Sequence, residues 1–171
     1  MQNWLRRMLA PARRETRPEL LVRANSLDAE TRRGAVDGLA LSAEPWAGPA
    51  LVNLLGDSHS VVREAANAAF RQLGSNASPI LQKGLEHAVP EVAKTSAELL
   101  GELGTSEAVG PLLLALKYGP RPVQLAARRS LIKLGEASVP ALELAQGETH
   151  PWVKQQIDEI LAATQRTARM K

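Results

Sequence analysis

Apolar residues return along this chain at two beats at once. Within short stretches they fall at steps of three and four, the spacing that lines one face of an α-helix. Between stretches the whole pattern returns about every thirty residues, the mark of a repeat array. The clearest copy runs from Val62 to Gly74, read VVREAANAAFRQLG from Val61, and it returns at Val92 to Gly104 and at Val123 to Gly135. Looser copies begin at Thr31 and Val153, so the anchors 31, 62, 92, 123 and 153 are 31, 30, 31 and 30 apart. Four residues past each anchor the side chain is small in Ala35, Ala66, Ser96 and Ala127, with Ile157 the exception. Eight past, it is large and apolar: Leu39, Phe70, Leu100, Leu131 and Leu161. Both sets lie on one helical face, the small residue admitting a neighbouring helix and the large one filling the space beyond. Gly74, Gly104 and Gly135 then stand where a helix ends on a backbone conformation that glycine adopts cheaply. This is helix A of each unit.

A second apolar segment follows each helix A: Leu51, Leu54 and Leu55; Ile80, Leu81 and Leu85; Val109, Leu112, Leu113 and Leu116; Val139, Leu142 and Leu144. Pro49, Pro79, Pro111 and Pro140 lie near their starts, where a missing N–H costs least. This is helix B. Helices this short must stack on neighbours to bury their stripes. The pattern therefore predicts an all-α, right-handed α-solenoid of about five helix pairs with degenerate caps at both ends. Its expected divisions are residues 1–25 as an N-terminal capping unit or basic amphipathic segment, 26–165 as the array, and 166–171 as a basic, frayed tail. Thr16-x-x-Glu19 predicts a capping box, Asp28 a cap for the first full helix A, and Asp57-Ser58 caps for the second. Gly34 and Gly38 predict a thin core in the first A helix, which should end near Ser42. The last A helix should run from Pro151 to about Thr164.

Val62-Arg63-Glu64-Ala65-Ala66, followed by Leu73-Gly74, carries a resemblance to the HEAT repeat family, in particular to the short bacterial subtype of phycobilisome lyase-like proteins. The likeness extends over roughly residues 28 to 165. It implies paired helices in a superhelix and, as a narrower role, an assembly or lyase-accessory subunit acting on another protein. The family's Asp–Arg ladder needs an arginine after each anchor, where this chain has Ala93, Gln124 and Lys154 in its later units. Two enzyme families of similar fold offer contrasts. Deoxyhypusine hydroxylases bind iron through His-Glu dipeptides, whereas this chain has only the reversed Glu86-His87. DNA glycosylases of the HEAT-like type use aromatic and acidic residues in a strongly basic groove.

Charge sharpens the picture. The sequence has net charge +3, but residues 1 to 23 hold six arginines against two glutamates, and residues 166 to 171 hold three basic side chains and no acid. The array between is mildly acidic and flanked by basic ends, so the basic charge does not run where a duplex would lie. There is no cysteine, which removes disulfides, thiolate metal sites and cysteine nucleophiles and leaves nothing to indicate an oxidising compartment; the expected location is the cytoplasm. Trp4, Leu5, Met8 and Leu9 form too short an apolar run for a signal peptide or a transmembrane segment.

No set of residues names a reaction. His59 and His150 recur at equivalent places three units apart and read as helix-start residues rather than ligands. Trp46 reads as a cover over the end of the core. We expect no catalytic residues, no cofactor and no metal. The candidate partner-binding strip, on the assumption that B helices line the concave side, is Asn53, His87, Lys117 and Tyr118. The expected function is a non-catalytic protein–protein interaction scaffold whose partner is another protein. The alternative is a nucleic-acid or anionic membrane-surface binder that uses Arg6, Arg7, Arg13 and Arg14, with peripheral membrane contact through residues 1–14.

Overall fold

In the computed structural model, which describes residues 15–42, 44–147 and 150–169, every regular element is helical. In chain order these are α1 (Arg17–Ala24), α2 (Ala29–Leu41), α3 (Ala47–Asn53), α4 (Ser60–Leu73), α5 (Ser78–Gly84), α6 (Pro90–Leu103), α7 (Val109–Tyr118), α8 (Arg121–Leu134), α9 (Val139–Ala145) and α10 (Pro151–Arg169). Helices α2, α4, α6, α8 and α10 are A helices, and α3, α5, α7 and α9 are their B partners. Each A helix packs on the next, so the chain is an α-solenoid in which a unit touches its neighbours in sequence. Short 3₁₀ turns lead into most of the B helices, among them Gly74–Ala77, Ser106–Ala108 and Gly135–Ser138.

The repeat positions are core positions. Ala35, Ala66, Ser96, Ala127 and Ile157 are wholly buried, and Leu39, Phe70, Leu100, Leu131 and Leu161 are buried beside them. Burying a large apolar side chain is worth about 1.5–3 kcal/mol, which lets helices of seven or eight residues persist as part of a stack. Gly104 takes the left-handed conformation, φ 71° and ψ 18°, while its N–H donates to the Leu100 carbonyl at 3.3 Å and closes α6.

The caps fall largely where the sequence places them. Glu19 accepts the Thr16 N–H at 2.7 Å, and Asp28 accepts the Thr31 N–H at 2.7 Å. The second cap differs. His59 occupies the cap position of α4, while the Asp57 carboxylate turns back toward α2 and is held by Arg32. A buried guanidinium needs that charge more than an exposed helix end does. Gly34 and Gly38 also have a use that a thin core does not describe. A Cβ at Gly34 would meet Arg23 Nη2 at 2.5 Å, and one at Gly38 would meet Leu20 Cδ2 at 2.5 Å, so the two glycines admit α1 onto α2.

Leu144 is expected in the core but is 82 % exposed. It follows the buried Leu142 by two residues, which carries it about 200° around the helix, to the opposite face. Helix α10 runs past Thr164 to Arg169, so the start of the stretch assigned to the tail is helical.

Candidate functional site

The outward faces of the B helices carry three grooves in succession. The first, about 510 Å³, lies between α1 and α3 and is bordered by Asn25, Asn53 and Asp57. The second, also about 510 Å³, lies between α3 and α5, with Leu51, Val52 and Ile80 on its walls and Asn53, Lys83 and His87 at one end. The third, about 770 Å³, lies between α5 and α7 and is bordered by Leu114 and Tyr118. Its size has a local cause: α5 touches the 3₁₀ turn that leads into α7 more than α7 itself. Asn53 belongs to the first two grooves, and Pro79, Lys83 and His87 to the second and third, so the three join as one furrow across the array.

Three of the four strip residues expected from the sequence border this furrow. Asn53 and His87 are in direct contact, His87 Nε2 lying 3.0 Å from Asn53 Oδ1. The Val89 N–H donates to His87 Nδ1 at 3.1 Å, which makes Nε2 the protonated nitrogen and therefore the donor to Asn53. The ring is fixed at both ends. Tyr118 is 70 % exposed on the wall of the third groove. Lys117 does not line a groove. It is half-buried, with its ammonium 5.1 Å from the centre of the Tyr118 ring, and it acts on the furrow through that ring.

Sequence reasoning missed Lys83, Leu114 and Leu144. Stepping from Asn53 by the repeat lengths of 30, 31 and 30 lands on these residues, and all four are exposed. The signal was present in the spacing. Asn53 was grouped instead with His87 and Tyr118, which belong to the next helical turn together with Asp57. The face is thus two parallel rows, Asn53, Lys83, Leu114, Leu144 and Asp57, His87, Tyr118, polar at the N-terminal end and apolar at the other.

Displaced titrations lie in structural ties. Arg32 hydrogen-bonds Asp57 through Nε and Nη2 at 2.6 and 2.8 Å, and this holds the aspartate below its ordinary value against the opposing effect of burial. Glu102 is lowered in the same way by Arg71 at 2.7 Å. Asp28 is lowered by its cap to Thr31, and Lys94 is raised by Glu91. His59 and His150 both stand at helix starts, and His150 Nδ1 accepts the Trp152 N–H at 3.3 Å. Trp46 packs against the core under Arg17, whose guanidinium is 5.7 Å from the ring centre. Arg6, Arg7, Arg13 and Arg14 lie outside the described residues.

A family model described as HEAT repeats matches residues 17–98. That stretch is similar to HEAT repeats. The later units keep the same register through α10, as the burial of Val123, Ala127, Leu131 and Ile157 requires. Among solved structures, a designed armadillo repeat protein is 21% identical, with 85% of this chain and 80% of that chain covered and a TM-score of 0.42. A designed armadillo repeat protein in complex with peptide (KR)4 is 23% identical over 85% and 80% of the two chains, with a TM-score of 0.43. No curated protein matches the chain by sequence. Among the described residues, no helix is long and apolar enough to cross a membrane.

Proposed function

We propose that the protein is a non-catalytic scaffold that docks another protein along the furrow of its B helices. The observation that carries this reading is the uncovered apolar row on that face. Leu114, Tyr118 and Leu144 are 60, 70 and 82 % exposed, in repeat register or one turn from it, and the first two border the third groove. Large exposed side chains gathered on one face mark interaction surfaces. A stack of short helices holds them without the ordering cost a flexible surface would incur. The displaced titratable groups support a non-catalytic reading, since each is already held by a cap or an ion pair, across helices for Asp57 and Glu102 and within one helix for Lys94. Resemblance to phycobilisome lyase-like proteins supplies the narrower version, an assembly or lyase-accessory subunit.

The test compares proteins captured by the full chain with those captured by Leu114→Asp/Tyr118→Ala and by Lys133→Glu, which lies on the A-helix side. A partner held by the wild type and by Lys133→Glu should be lost with the double variant while its thermal midpoint stays unchanged. Retention of every captured protein by a folded double variant would remove the B-helix face from the proposal.

A further inference from the structure

We infer that the furrow takes an extended peptide segment with one acidic side chain between two large apolar ones. The inference rests on the docking role of the B-helix face and gives that partner its chemistry. Lys83 is the central residue: it is exposed, it borders both the second and the third groove, and no carboxylate among the described residues pairs with it. Four other cations of the array are tied down, Arg32 to Asp57, Arg71 to Glu102, Lys94 to Glu91 and Arg128 to Glu159, and none of these lines the second or third groove. An unpaired ammonium between two apolar clefts favours a carboxylate, because a bound chain there displaces the water that would screen the pair.

The clefts on either side set the rest of the motif. The second groove offers Val52 and Ile80, and the third offers Leu114 and Tyr118. Neighbouring helices are spaced roughly 8–10 Å apart. An extended strand advances about 3.3 Å per residue and crosses that distance in about three residues. A helix rises about 1.5 Å per residue and is about 10–12 Å wide, too broad to enter clefts between adjacent helices. The apolar residues therefore stand about three positions apart, with the acid between them. Asn53 accepts from His87 through Oδ1, which leaves its amide N–H groups available to a peptide carbonyl. Glu44 and Glu86 border the second and third grooves and discourage a second acid outside the centre. The same chemistry disfavours the chain's own basic segment, since Arg6 and Arg7 would meet Lys83 with like charge.

The experiment pans a displayed library of random eight-residue peptides over the immobilised full chain and over Lys83→Glu and Leu114→Asp, each checked by thermal melting. Wild type should enrich Asp or Glu between two large apolar residues about tenfold over chance. Lys83→Glu should select Lys or Arg at that position, and Leu114→Asp should lose one apolar preference while keeping the acid. Enrichment without an acid, unchanged selection by Lys83→Glu, or no enriched peptide at all overturns the inference. If a captured protein partner is still lost with Leu114→Asp/Tyr118→Ala, that failure leaves the docking face standing and removes only the peptide chemistry.

Discussion

The junction between the first two full repeats and the junction between the third and fourth solve one packing problem in different ways. At the first, Arg32 extends from α2 to grip Asp57 with two hydrogen bonds and donates to the Ser26 and Leu27 carbonyls at 2.8 and 3.0 Å. At the other, the arginine position has become Ala93 and Gln124, and the helices close in on small residues. A Cβ at Gly101 would stand 2.5 Å from Ser130 Oγ and 2.8 Å from Ser130 Cα, while Ser130 Oγ donates to the Ala97 carbonyl at 2.7 Å. The transition is visible between them. Arg63 makes the same backbone bonds as Arg32, to the Asp57 and Ser58 carbonyls at 2.7 and 3.0 Å, but the residue in register with Asp57 is His87. With no carboxylate to offer Arg63, His87 turns to Asn53 and becomes part of the furrow. A rung of the structural ladder has thus been exchanged for a wall of the candidate site.

The largest break should come at the close-packed junction. Gly101→Val places atoms against the backbone of α8 and should cost about 3 kcal/mol, the upper part of the range for overpacking, read as a fall in urea midpoint. Gly101→Val with Ser130→Gly should recover part of that loss if close approach is the cause. At the charged junction, Asp57→Ala leaves the Arg32 guanidinium with two backbone carbonyls and His59 Nδ1 but no carboxylate, and should lower the thermal midpoint by a few degrees. Asp57 also predicts a pH dependence. Its folded value lies below the ordinary 3.8, so its contribution is complete above that pH and is lost as the pH falls through the lower folded value. Wild type should therefore lose more stability than Asp57→Asn between pH 7 and strong acid, in parallel urea titrations.

Smaller effects sharpen the contrast. Ser96 Oγ is buried without a hydrogen-bond partner and would lie 2.3 Å from a Cβ on Gly84, so Ser96→Ala should be neutral or stabilising by up to about 1 kcal/mol. Arg71→Ala, which removes a largely exposed tie to Glu102, should cost less than about 1 kcal/mol in the same unfolding assay.

Legibility differed by kind of feature. The positions four and eight past each anchor were readable because a small residue followed by a large one, repeated at a fixed beat, admits only a stacked helix. The capping box at Thr16 and the terminating glycines were readable because they depend on bonds within a few residues. Leu114 and Leu144 are harder to read: a leucine on the outer face of a B helix has the same letter as Leu112 or Leu142 inside, and only its angle about the axis, carried by the spacing from Asn53, separates them. Asp57 was misplaced for a related reason: its sequence neighbours make it a cap, while its spatial neighbour Arg32 lies 25 residues away.

From the chain alone came the length of the unit, the pairing of helices, the core of the A helices and the glycine ends of three of them. These follow from spacing along one helix and from backbone conformations that glycine and proline control locally. The tertiary structure alone decided how far each B helix stands from the next, and with it the grooves, the Asn53–His87 contact and the open position of Lys83. Those distances are set by how whole units tilt against one another, a sum over contacts such as Gly84 on Ser96 and Gly101 on Ser130 that no single stretch of sequence contains.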